Sequence, residues 1–372
     1  SFTFFVSSLV MIGLSQENSK YQSVYYQQWC KNNGHEPGTC EYLDDKYCQK
    51  VFPASYDVEF KCPNRYESSY LNGYVSTTNV NNIKVDETAL SKLINPNFYI
   101  TLILIRRNET GHPFYKYMSN GHAYTYYQPW SSSKAFAIIN AGSTQRQKCK
   151  TPESLGLNSY ENNYKDMLGD LATIIHSYGS NPSHFESNCL AYYFLNVGGR
   201  EQLDNNLHNW LGTTSSCTLG GDYGCTNEYG LGYSFTLLNN SNDICPLSNT
   251  KFVTIPNSLN TLTQAEFYKR LVMIREEPQY SYPYVTWDDV KQLMYGPVNS
   301  SMFPGIKWGA GSTDTSWYIQ SGTNITDIQQ RSNGQWRIFS KLGAGNTDIV
   351  DMGYACFPEM DTNGEAKLNT GQ

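Results

Sequence analysis

The fold of this chain is predicted from the stretch Tyr126-Tyr-Gln-Pro-Trp-Ser-Ser-Ser-Lys-Ala-Phe-Ala-Ile-Ile-Asn140. The apolar run from Ala135 to Ile139 predicts a buried helix whose first turn holds Ser131-x-x-Lys134. Residues three apart on a helix share a face, so the lysine amine can lie within hydrogen-bond reach of the serine hydroxyl. The N-terminus of a helix adds partial positive charge and free N–H groups, which stabilise an alkoxide or an oxyanion. This pattern predicts an activated serine nucleophile, although serine is also a common helix cap.

A second stretch, downstream, predicts two consecutive helices. The first helix follows Ser187-Asn-Cys189 and ends at Gly198-Gly199, because paired glycines interrupt a helix. The second helix is amphipathic and places three apolar residues on one face, namely Leu203, Leu207 and Trp210.

A third stretch, near the C-terminus, carries a lysine in a glycine-rich strand. Lys341-Leu-Gly-Ala-Gly345 follows a predicted strand from Trp336 to Ser340, and the apolar strand Ile349 to Phe357 comes next. Lys307-Trp-Gly-Ala-Gly311 is a near-repeat of this motif, but Pro304-Gly305 before it indicates a loop. Lys341 is therefore the preferred pocket lysine and Lys307 the alternative.

Together these motifs resemble the serine β-lactamase and penicillin-binding-protein superfamily, most closely the class A β-lactamases, which carry Ser-x-x-Lys, Ser-Asp-Asn and Lys-Thr-Gly. The resemblance implies an α/β fold in which an antiparallel sheet has helices on both faces, beside a mostly helical lobe. It also implies acyl transfer: Ser131 attacks an amide or lactam carbonyl, Lys134 takes its proton and Ser187 relays it. Lys341 would anchor a substrate carboxylate, and Gly343 would let the strand approach the substrate closely.

The middle motif departs from the family pattern. Ser187-Asn188-Cys189 has cysteine where the family has asparagine, and gapless alignment from Gly198-Gly199 would place Phe185-Glu186-Ser187 there instead. Ser177-Tyr178-Gly179 and Gly179-Ser180-Asn181 are further candidates if the preceding loop is longer.

Two other family positions also differ. Leu342 stands where the family has the carboxylate-binding threonine hydroxyl. Class A enzymes activate the deacylating water with a Glu-x-x-Leu-Asn loop, and Glu228-Tyr-Gly-Leu231-Gly232 is the matching interval, with glycine in place of asparagine. Glu228 is thus the candidate base for deacylation.

Three segments are predicted along the chain. Residues 1–15 form an apolar run of the length of a signal-peptide core, with a packed N-terminal strand as the alternative. Residues 16–85 contain Cys30, Cys40, Cys48 and Cys62 in a sequence with little periodicity, which predicts a disulfide-stapled extension. Residues 86–372 form the β-lactamase-like domain.

The remaining cysteines and the sequons favour an extracellular protein. The chain has ten cysteines, and Cys217 and Cys225 flank Gly220-Gly221, so they are expected to close a loop. The irregular cysteine spacing and the isolated His35 argue against zinc, and no cofactor or metal is predicted. Four sequons permit N-glycosylation, at Asn108, Asn239, Asn299 and Asn324.

The amino-acid composition argues against some classes of binding partner. The net charge is −6 and no run is rich in lysine or arginine, so nucleic acid is not expected as a partner. No apolar run reaches the roughly 20 residues of a membrane span. A small-molecule or peptide substrate is expected if the protein is active. The alternative is an inactive β-lactamase-like glycoprotein that self-assembles or binds extracellular proteins.

Periodicity predicts the other elements. They are a short helix from Val85 to Ile94, strands from Phe98 to Ile105 and from Pro113 to Tyr117, and helices from Tyr164 to Ser177, Thr263 to Glu276 and Thr286 to Tyr295, the last capped by Thr286 with Asp288 or Asp289.

Overall fold

A computed structural model describes residues 83–296 and 337–356, except for 109, 111, 150–155, 159, 162–166, 178–186, 226–236, 239–240, 242, 246–255 and 346–347. The apolar segment 1–15, nearly all of the predicted extension 16–85, Glu228 and Lys307 lie outside the described residues. The sequons at Asn239, Asn299 and Asn324 lie outside them as well.

The described strands form three antiparallel pairs. They are β1 (Thr101–Arg107) with β2 (Pro113–Ser119), β3 (Tyr160–Glu161) with β4 (Leu237–Leu238), and β5 (Arg337–Ala344) with β6 (Ile349–Cys356). The predicted strand pairs on either side of the Ser131 helix are therefore confirmed with shifted ends. The described strands make two-stranded sheets, so the single sheet of a β-lactamase-like arrangement stays a prediction.

Six α-helices accompany these strands in the described part of the chain, and the mixed α/β class is confirmed. The helices are α1 (Lys134–Lys148), α2 (Leu168–Ser177), α3 (Ser187–Gly198), α4 (Arg200–Leu211), α5 (Thr261–Val272) and α6 (Trp287–Tyr295).

Helix α1 lies at the centre of the core, because every residue from Lys134 to Arg146 is buried. Helix α3 packs closely on it, since a Cβ at Gly198 would lie 2.9 Å from the backbone nitrogen of Ala141. The predicted apolar face of α4 is also buried, with Leu203 and Leu207 each 1% exposed. The apolar periodicity of the sequence thus identified the core-facing sides of these helices.

The helix ends follow local sequence chemistry. Gly212 ends α4 in the left-handed conformation, with φ of 69°, which glycine adopts without a Cβ penalty. Thr286 and Asp289 form the capping box at the start of α6, as the sequence predicts.

The predicted helix from Val85 to Ile94 is wrong, since the structure has turns over 87–93. The Asp86 carboxylate accepts hydrogen bonds from both the backbone N–H and the hydroxyl of Thr88, at 3.1 and 2.9 Å. These local bonds compete with a helical ladder, which explains the turn.

Two disulfides join distant parts of the described chain. Cys149 bonds to Cys245 across 96 residues, and Cys189 bonds to Cys225 across 36 residues. The predicted Cys217–Cys225 loop closure is therefore wrong, because Cys225 lies against the first turn of α3. Cys217 is a buried free thiol, 3.5 Å from the Thr263 hydroxyl.

A buried charged network ties α5 to β2. The Glu266 carboxylate accepts from Lys269 Nζ at 2.7 Å, from Arg270 Nε at 3.1 Å and from the Tyr117 hydroxyl at 2.6 Å. Burial lowers the pKa of Lys269, while the neighbouring Glu266 raises it. The carboxylate is thus the shared partner of two buried cations.

Candidate active site

Ser131 lies in a 3-10 turn, Trp130–Ser133, that leads directly into α1. Trp130 before it has a φ of 48°, a left-handed conformation that costs a bulky residue about 1–3 kcal/mol. Ser132 and Ser133 are buried and donate to the carbonyls of Pro129 and Trp130, at 2.5 and 2.8 Å. Ser131 is half-buried, so it is the serine of this turn that a reagent can reach.

Lys134 begins α1 and its side chain is fully buried. Its Nζ donates to the Ser187 hydroxyl at 3.1 Å and to Asn188 Oδ1 at 2.6 Å. The structure therefore brings Lys134 and Ser187 together at the start of α3, which favours the Ser187 assignment for the second motif. Asn188 is not among the site residues predicted from the sequence, although an amide side chain next to the motif serine could have indicated it.

Strand β5 lies directly against the turn that carries Ser131. A Cβ at Gly343 would lie 2.6 Å from the Pro129 carbonyl oxygen and 2.9 Å from the Ser131 backbone nitrogen. A Cβ at Gly345 would overlap the Trp130 indole. The close-approach role predicted for Gly343 is therefore directed at the turn itself.

Lys341, on the same strand, is fully buried and its Nζ donates to the Leu342 carbonyl at 2.7 Å. Burial, and next the positive charge of Lys134, lower the pKa of Lys341 well below its usual value, whereas Asp351 raises it. The two predicted lysines thus act on each other electrostatically. An amine whose pKa is lowered in this way can serve as a base as well as a cation.

His176, near the end of α2, is a third basic group of this region and was not predicted. Its Nδ1 lies 2.8 Å from the Ala172 carbonyl oxygen, so Nδ1 carries the proton and Nε2 carries a lone pair. Burial, followed by the charges of Lys341 and Lys134, lowers the pKa of His176 to about 3. The imidazole is therefore neutral at physiological pH.

Residues 221–225 form a short segment next to Lys134, and its Tyr223 ring lies over the lysine amine. The Tyr223 hydroxyl lies 3.0 Å from Ser133 Oγ, and its ring centroid lies 5.4 Å from Lys134 Nζ. Burial raises the pKa of Tyr223 to about 12, so the phenol stays protonated. No sequence motif includes this tyrosine, and its position follows from the unpredicted disulfide of Cys225.

The other predicted site residues, Glu228 and Lys307, lie outside the described residues, so their roles stay predictions. Within the described ranges, no cluster of three or more His, Cys, Asp or Glu side chains could hold a metal ion. The described helices include none that is long and apolar enough to cross a membrane.

Comparison of the chain with family models, curated proteins and solved structures finds no significant match. The described residues form a mixed α/β protein with a half-buried serine at a helix start. A buried lysine, a serine and an asparagine form a hydrogen-bonded cluster beside it.

Proposed function

We propose that this protein is a secreted serine hydrolase or acyl transferase of the β-lactamase type, acting on amide or lactam bonds through Ser131. The observation that carries the proposal is the hydrogen bond between Lys134 Nζ and Ser187 Oγ, which joins two motifs that are 53 residues apart. The two disulfides of the described chain support a secreted location, because disulfides persist in oxidising compartments.

The proposed reaction begins when Ser131 Oγ bonds to the substrate carbonyl carbon and Lys134 takes the hydroxyl proton. The Ser187 hydroxyl accepts this proton from Lys134 and passes its own proton to the leaving nitrogen as the C–N bond breaks, so Lys134 is neutral again. The N–H of Ser131 and an N–H of the strand after Lys341 would stabilise the oxyanion. A water oxygen then bonds to the acyl carbon, the bond between that carbon and Ser131 Oγ breaks, and a water proton returns to Oγ, which releases a carboxylic acid and restores the serine.

The charge of the site favours an anionic substrate group. Lys341 is buried on the strand beside the turn of Ser131, and a substrate carboxylate near its amine would raise its lowered pKa and favour the protonated form. Leu342 offers no hydroxyl to that carboxylate, so we expect weaker substrate binding than the superfamily motif provides. Deacylation would depend on Glu228 to activate a water molecule. Gly232 offers that water no side-chain partner, whereas the superfamily motif has asparagine there, so the acyl adduct should persist.

The test is covalent labelling of the intact protein with a fluorescent penicillin and with a fluorophosphonate. We expect a single adduct on Ser131, absent from Ser131→Ala and retained in Ser132→Ala, which removes the neighbouring buried hydroxyl of the same turn. Intact-mass measurement over hours should show slow loss of the penicilloyl adduct. No adduct on the wild-type protein with either probe would overturn the proposal.

One observation favours the second candidate, an inactive extracellular binding or structural protein. The Lys341 amine donates to a carbonyl of its own strand and is fully buried, so it is not presented to a ligand in this conformation. Failure of both probes, with a folded wild-type protein, would support this candidate.

A further inference from the structure

We infer that Tyr223 is a positioning residue, which holds Lys134 against Ser187 and Asn188 and shields it from solvent. The inference rests on the proposed function for its catalytic consequence, but the placement of Lys134 can be measured without catalysis. The segment 221–225, called here the clamp segment, carries Tyr223 over the lysine.

The Tyr223 ring lies over the Lys134 amine. Lys134 is fully buried, whereas Tyr223 is half-buried and its ring centroid lies 5.4 Å from Lys134 Nζ. An ammonium over an aromatic face is attracted by the ring quadrupole, and more strongly where both are desolvated. The ring therefore both attracts the lysine and separates it from water.

Hydrogen bonds fix the position of the Tyr223 ring. The Tyr223 hydroxyl lies 3.0 Å from Ser133 Oγ, in the turn that carries Ser131. Its backbone N–H donates to Asp222 Oδ1 at 2.7 Å, and Gly221 N–H donates to Asn257 Oδ1 at 2.9 Å. The tyrosine is thus held at its hydroxyl and along its backbone.

A disulfide links the clamp segment to the second motif. Cys225 is disulfide-bonded to Cys189, which directly follows Ser187 and Asn188 in the first turn of α3. The Asn188 amide contacts both sides, since Oδ1 accepts from Lys134 at 2.6 Å and Nδ2 donates to the Gly224 carbonyl at 3.4 Å. The disulfide therefore holds the Tyr223 ring close to Ser187 and Asn188, which accept the hydrogen bonds of Lys134.

Two substitutions of Tyr223 distinguish the effect of its aromatic ring from the effect of its hydroxyl. Tyr223→Phe keeps the aromatic face and loses only the bond to Ser133, so its labelling rate should stay within about threefold of wild type. Tyr223→Leu removes the face that covers Lys134. We expect at least tenfold slower labelling of Ser131 in that variant, because a displaced base no longer meets the hydroxyl proton.

The placement of Lys134 is measured by reductive methylation of the native proteins with formaldehyde and cyanoborohydride, followed by peptide mass spectrometry. Lys134 should stay unmodified in wild type and Tyr223→Phe and become methylated in Tyr223→Leu. Lys269, which is 2% exposed, is the internal control, because general loosening of the fold would expose it too.

The disulfide is tested with a matched pair of double variants. Cys189→Ser with Cys225→Ser should expose Lys134 to methylation, whereas Cys149→Ser with Cys245→Ser removes the other disulfide and should leave Lys134 protected. Protection of Lys134 in both Tyr223→Leu and the Cys189/Cys225 variant would overturn the inference. If wild type takes up no probe while Lys134 responds as described, the proposed function fails and the positioning role stands.

Discussion

At the scale of single residues, Gly343 controls how closely strand β5 approaches the turn of Ser131. A side chain there would meet backbone atoms of Pro129, Ser131 and Ser132, none of which can rotate away. Gly142 in α1 is a useful contrast, because a Cβ there would meet the Leu157 side chain at an ordinary 3.4 Å.

We predict that Gly343→Ala displaces the turn and slows probe labelling of Ser131 by about 100-fold, the typical effect of a 1 Å misplacement. Its free energy of unfolding should fall by about 1–3 kcal/mol, as for other overpacked sites. Gly142→Ala should retain labelling and gain up to about 1 kcal/mol from helix propensity. Labelling kinetics and urea unfolding measure both effects, and equal labelling of the two variants would contradict the prediction.

The candidate site residues proposed from the sequence are those that carry local signals. Ser131 and Lys134 are three residues apart at the start of a predicted helix, so helix geometry alone suggests that they share a face. His176 and Tyr223 have no such signal, because they reach the site only through the packing of α2 and through the Cys189–Cys225 disulfide. The pairing of cysteines depends on the tertiary fold, so the expected Cys217–Cys225 bond could not be corrected from spacing.

At the scale of secondary-structure elements, long periodic segments were predicted well and short ones were not. Helix α4 buries the predicted face because its apolar residues recur every three or four positions. The segment 85–94 has a similar but shorter pattern, and the side chain of Asp86 converts it into turns. The buried contact between α5 and β2 is polar, so apolar periodicity could not reveal it.

We predict that Glu266→Gln lowers the free energy of unfolding by about 3–5 kcal/mol, because Lys269 and Arg270 would be left as buried cations without their shared carboxylate. The matched control is Asp288→Asn, which removes an ion pair of similar length to Lys291 at a side chain that is 67% exposed. That change should cost less than about 1 kcal/mol. Similar losses for the two variants in urea unfolding would show that the Glu266 network contributes little.

At the scale of the whole molecule, the buried His176 makes stability sensitive to acid. Its pKa is about 3 in the folded protein, against a usual 6.5. Between these values the unfolded chain binds a proton that the folded chain does not. The destabilising effect of the buried His176 is therefore absent above pH 6.5. The free energy of unfolding then decreases as the pH falls from 6.5 toward 3.

We predict that His176→Gln flattens the decline of the free energy of unfolding between pH 6.5 and 4.5 by up to about 1.4 kcal/mol per pH unit. His112→Gln is the control for replacing a histidine with glutamine at an exposed position. Urea unfolding at several pH values gives the slopes. Parallel curves for wild type and His176→Gln would show that the imidazole is protonated in the folded protein.

The buried thiol of Cys217 limits how the other cysteines of the chain can pair. Of the ten cysteines, four form the two disulfides of the described residues and Cys217 is a free thiol, so the remaining five are an odd number. They are Cys30, Cys40, Cys48, Cys62 and Cys356. Pairing among these five must leave one over, even if the first four pair with one another as the sequence predicts. In a chain of residues 1–372 alone, alkylation in denaturant without reductant should therefore block at least two thiols, or block one and reveal a reductant-sensitive covalent link to another molecule.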